Sequence, residues 1–155
     1  MSTEELEETF RATADAAATH AMWNRPRLAE YLFRHAYRVA AEIGDPLLMA
    51  EASVYQAAIL RRLGQYAAAY DAAVRSSLLV KDVAVNEMTL VVRFMAAIER
   101  SVAAVKLGDT TSAAASQLLA VEYERRLEKS RLRGSVTTWA YQCLLNARGM
   151  HRHLP

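Results

Sequence analysis

Three chain-breaking positions, Asn24, Gly64 and Gly108, recur at intervals of 40 and 44 residues. Each is followed at the same distance by small residues. Five positions on stand Ala29, Ala69 and Ala113; twelve positions on stand Ala36, Ser76 and Ala120. The residues nine positions on, Phe33, Ala73 and Gln117, are less regular. Offsets of five and twelve differ by two helical turns, so both small residues face one seam. A large side chain there would wedge two neighbouring helices apart. The pattern constrains the chain to pairs of helices folded back on themselves around a tight turn, with backbones in close approach.

Start and stop signals divide the chain into seven helices. Ser2 and Glu5 form a capping box, and the first helix runs to about Met22. Pro26 suits the first turn of the second, which runs to about Ile43. Gly44, Asp45 and Pro46 then supply a stop, an N-cap and a first helical residue. The third helix ends near Leu63 and the fourth covers about Tyr66 to Asp82. Asn86 caps a fifth that runs to about Leu107. Gly108 and Asp109 restart a sixth, expected to reach about Arg131. Gly134 and Ser135 break and re-cap, and a seventh helix is expected to stop at Arg148, before Gly149.

Composition agrees. Thirty alanines in 155 residues favour helix, because alanine loses no rotamer freedom there. The length fits one domain with a sizeable core. Nineteen Lys and Arg against 17 Asp and Glu leave a net charge of +2, which argues against a dedicated nucleic-acid binder. Charge is uneven: Glu4, Glu5, Glu7 and Glu8 open the chain, and seven basic residues face three acidic ones from Glu122 onward. The plainest reading is solvated helix faces matched to helix dipoles. The opening residues MSTEELEETF hold no apolar signal-peptide core, and the apolar run Thr89 to Ile98 is too short to span a bilayer. The lone Cys143 forms no internal disulfide and fits a reducing compartment. The expectation is a soluble cytoplasmic protein with no membrane association.

The second pair of helices carries a family pattern. Ala57, Leu60, Gly64, Tyr66 and Ala69 stand where tetratricopeptide repeats place a small residue, a large residue, the turn glycine, an aromatic and a second-helix alanine. The first pair matches through Ala17, Ala29, Phe33 and Ala36, with Asn24 in place of the glycine and Pro26 in place of the aromatic. The third keeps Gly108, Ala113 and Ala120 but has Thr110 for the aromatic. The chain resembles the tetratricopeptide family in its longer-repeat form, and is similar to the repeat domains of actinobacterial transcriptional regulators. The resemblance implies an all-α, right-handed α-solenoid: units of about 3–43, 47–82 and 86–131, and a capping helix at about 135–149.

The resemblance also implies a concave groove lined by the first helix of each pair. Carried over, the groove positions are Arg11, then Glu51, Val54, Arg61 and Arg62, then Met95, Ile98, Val102 and Lys106. Arg61 and Arg62 suit a carboxylate or an acidic peptide tail. Met95, Ile98 and Val102 form an apolar strip that an exposed surface would use as an interface. The last helix, a second copy in a homodimer, or a partner peptide are the three candidates to cover it. The functional expectation is a protein- or peptide-binding module with a regulatory or adaptor role. The alternative is an effector-sensing domain of a bacterial transcriptional regulatory system.

The sequence carries no catalytic motif: no Gly-rich phosphate loop, no zinc-protease signature and no nucleophile elbow. No cofactor or metal is expected. His151 and His153, two apart near the C-terminus, are too few to close a coordination shell. His20 and His35 are expected as half-buried packing residues, and Cys143 as an inert buried thiol.

Overall fold

The computed structural model describes residues 1–129 and 138–154, with the side chains of all of these except 138–142. The described residues form seven helices and no strand: α1 Thr3–Met22, α2 Pro26–Ile43, α3 Pro46–Arg62, α4 Tyr66–Leu79, α5 Glu87–Leu107, α6 Thr110–Lys129 and α7 Thr138–Arg152. From α1 to α6, each helix packs on the next. No described helix is long and apolar enough to cross a membrane.

The caps explain the boundaries. The Ser2 hydroxyl accepts from the Glu5 amide while the Ser2 amide donates to the Glu5 carboxylate, so two orphan groups satisfy each other. The Asp45 carboxylate accepts from the Leu47 and Leu48 amides ahead of Pro46. Asn86 accepts from Thr89, and Asp109 from Ser112. Two exposed hydrogen bonds from Ser112 hold the Asp109 carboxyl below its ordinary range.

The three equivalent turns share one backbone conformation. Asn24, Gly64 and Gly108 have φ of 57°, 74° and 79°. Asparagine is the side chain that enters this left-handed region at least cost, so it substitutes for glycine in the first turn. All six small residues at the repeated offsets are buried. Hydroxyls reinforce the seams. Ser53 donates to the Ala72 carbonyl and Ser76 to that of Ala50, both at 2.8 Å, stitching α3 to α4. Ser101 donates to Ala113 at 3.0 Å, stitching α5 to α6. A hydroxyl reaches a neighbouring helix's carbonyl at that distance only where the backbones run close.

Two boundaries differ from expectation. Helix α4 stops at Leu79 rather than Asp82: the chain leaves it through turns from Lys81 to Leu78 and from Val83 to Val80, and Arg93 of α5 donates to the carbonyls of Val80, Lys81 and Val83 that this exit leaves free of helical partners. Helix α7 continues through Gly149 to Arg152. Glycine inside a helix costs only about 1 kcal/mol. Met150 packing on the core and the edge of His151 against the Phe94 ring, with centroids 5.9 Å apart, oppose that cost. The expected end of α6 at Arg131 and the break at Gly134 and Ser135 lie outside the described residues.

Helix α3 is the centre of the molecule. Every residue from Ala50 to Leu60 is buried, so it is packed on all sides. Helix α5 is buried nearly as completely and packs directly on α3. The main core joins these two to α1, α2, α6 and α7, with Phe33 tilted against Tyr55 at 5.4 Å.

Candidate functional site

The positions expected to line a groove fall on α1, α3 and α5, and the structure ties these three helices together through charge. Arg11 of α1 donates to Glu51 of α3 at 3.1 Å, and the Tyr55 hydroxyl donates to the same carboxylate oxygen. Arg61 of α3 donates through Nε to Glu99 of α5 at 2.8 Å. Arg62 donates from both terminal nitrogens to the Ala21 carbonyl at the end of α1, a favourable place for a cation because the last carbonyls of a helix lack partners.

Burial sorts the expected residues into two groups. Glu51, Val54, Met95 and Ile98 are buried, and Val102 is partly so. They belong to the packed interior of this conformation, not to an open surface. Arg11, Arg61 and Arg62 reach its edge. Lys106 sits with its ammonium over the Tyr66 ring at 5.9 Å, facing α4.

What covers the strip is α7. Its Cys143, Leu144 and Ala147 are buried in the main core, and Met150 packs on it. A cavity of about 40 Å³ lies between α7 and the strip, lined by Ala58, Ile59, Arg61 and Arg62 of α3, Met95 and Glu99 of α5, and Cys143, Asn146, Ala147 and Met150 of α7. It is far smaller than the roughly 300 Å³ at which small-molecule sites begin. Arg148 of α7 reaches Glu124 of α6 at 2.9 Å, which anchors the far side of the helix. Of the three candidates to cover the strip, the last helix occupies it here.

The electrostatics under α7 follow from burial. Desolvation raises the Glu99 carboxyl above its ordinary range, against the opposing pull of Arg61. Glu51 is raised for the same reason, opposed by Arg11 and Tyr55. Burial, then the neighbouring Glu99, pushes the Cys143 thiol far above its ordinary value, so it is a poor nucleophile. Among the described residues no group of three His, Cys, Asp or Glu side chains is placed to hold a metal ion. His20 is half-buried with its ring edge toward Trp23, as expected; His35 is exposed instead, because its position on α2 turns away from both neighbours.

Three features carried no readable signal. Ser53 and Ser101 looked like ordinary helix residues, yet they are the seam hydrogen-bond donors. Arg75 donates to Ser53 and Gln56 while lying 4.2 Å above the Tyr37 ring, joining α2, α3 and α4. The third is a basic cleft on the other side of α5, taken up below.

A scan against family models, a search of curated proteins and a search of solved structures each found no match.

Proposed function

We propose that this chain is a helix-binding interaction module of the tetratricopeptide type, a right-handed α-solenoid with an adaptor or regulatory role. In this reading the face of α1, α3 and α5 is the concave one, and α7 is its built-in occupant. The observation that supports it is the seating of α7: one apolar stripe, Cys143, Leu144, Ala147 and Met150, lies against α3 and α5 over the buried Arg61–Glu99 pair. An amphipathic helix laid on an apolar strip is a recurring mode of peptide recognition. A partner helix of similar stripe takes the same seat once α7 leaves it.

The test uses the full chain and a labelled peptide of residues 138–152. Leu144 is fully buried, so Leu144→Glu places a carboxylate against the core and releases α7. Occupancy in cis lowers the apparent affinity of wild type by the fraction of open molecules. The Leu144→Glu chain is expected to bind the peptide at least about tenfold more tightly than wild type does. A Leu144→Glu chain that keeps its helical circular dichroism and binds no peptide would show that this face does not receive helices.

A further inference from the structure

A second recess opens between α4 and α6, with α5 as its floor, and the face that α7 covers plays no part in it. Its volume is about 210 Å³, and it is lined by Ser77 and Lys81 at the end of α4, Arg93, Ala97 and Arg100 of α5, and Leu119 and Tyr123 of α6. Three of the seven are cationic and none is acidic. Among the described residues, no carboxylate forms an ion pair with Lys81, Arg93 or Arg100.

The three cations have different duties. Arg93 spends one terminal nitrogen on the carbonyls after α4, which fixes its guanidinium at the rim. Lys81 is exposed and mobile in principle about its four-carbon stem. Arg100 is the informative one: its Nε is buried and has no hydrogen-bond partner. A buried donor left without a partner destabilises the folded chain, more so when the group is charged. The Ala97 methyl one turn earlier and the Leu119 and Tyr123 side chains opposite form a wall with little polarity.

We propose that this recess binds a small anion of the phosphate class, with Arg100 and Lys81 as its principal ligands and Arg93 as a fixed positive rim. A guanidinium pairs with phosphate oxygens through charge-assisted hydrogen bonds, and an ammonium adds a point charge. The volume lies below the roughly 300 Å³ of drug-sized pockets, so it suits a free phosphate or a short phosphomonoester whose organic part rests on Leu119 and Tyr123.

Calorimetric titration of the full chain tests this with two probes, inorganic phosphate and glycerol phosphate, at constant ionic strength set with sodium chloride. Saturable binding of at least one probe is expected in wild type, with no response to further chloride. Loss of a charge-assisted hydrogen bond of about 1.5–3 kcal/mol predicts at least tenfold weaker binding in Arg100→Gln. Lys81→Gln, on an exposed side chain that leaves the fold intact, is expected to weaken binding severalfold. Tighter binding of the ester identifies the organic phosphate as the ligand; equal binding identifies phosphate itself. No saturable binding in wild type overturns the proposal, as does unchanged affinity in both variants. Peptide binding by the α7 face is read separately, so either proposal can fail alone.

Discussion

Arg61→Met tests whether the charge pair under α7 is held by electrostatics. Methionine keeps most of the aliphatic stem and removes the guanidinium. Glu99 is 4% exposed at its side chain and forms an ion pair with Arg61, itself 22% exposed. Without that cation the carboxylate is isolated in a dry site. It escapes by taking a proton, and this escape sets a ceiling on the penalty. Holding a carboxyl protonated at pH 7 against an ordinary value of 4.5 costs about 3.4 kcal/mol, at about 1.4 kcal/mol per pH unit. Wild type already bears part of that cost, since burial raises Glu99 even beside Arg61. The expected loss of stability at pH 7 therefore lies below about 3.4 kcal/mol. The sign with pH is fixed. Because the folded variant holds this proton to higher pH than the unfolded chain, it binds more protons above pH 4.5, and its stability falls as pH rises through that window. Urea unfolding of wild type and variant at pH 7 and pH 5 is the assay. The deficit should shrink below about 1 kcal/mol at pH 5, and adding Glu99→Gln should remove its pH dependence. A deficit equal at both pH values refutes the electrostatic account and leaves Arg61 as a packing residue.

Three further outcomes follow from a turn, a seam and an exposed face. Gly64 sits at φ 74° with open space around it, so Gly64→Ala meets backbone strain but no clash; thermal unfolding should fall by about 2–4 °C for a cost near 1 kcal/mol. Ala69 is fully buried among Ala57, Leu60, Ala72 and Ala73, so Ala69→Leu should cost about 1–3 kcal/mol in denaturant unfolding. Leu118→Ala at a site 73% exposed on α6 should stay within about 0.5 kcal/mol.

The helices and their turns were legible because their signals are local. A capping box, a proline at the first helical position and a left-handed turn residue act within four or five residues, and each is visible in the letters. The seam was legible for a related reason: Ala29, Ala69 and Ala113 repeat a steric requirement, and repetition exposes it. The end of α4 was not legible. The carbonyls just past its stop are held by Arg93, from another helix further along the chain, a tertiary contact that no local signal announces. Ser53 and Ser101 carry no signal for the same reason, since a hydroxyl aimed at another helix reads like one aimed at water.

The candidate site divides along the same line. Periodicity placed Met95, Ile98 and Val102 on one strip and left its cover undecided, because an apolar stripe specifies burial and not the identity of what buries it. Arg61 and Arg62 read as anchors for an acidic partner; in the structure each has an acceptor, the Glu99 carboxylate and the Ala21 carbonyl. The acceptors come from the chain itself. Arg11 and Arg61 are thus matched to the carboxylates of Glu51 and Glu99, whereas Lys81, Arg93 and Arg100 face a recess with no carboxylate among its described lining residues. A composition near neutrality concealed this contrast. Net charge sums over the whole surface, and a ligand responds only to the few groups it can touch. An anion entering the recess beside α5 would therefore meet cations that no carboxylate among the described residues already holds.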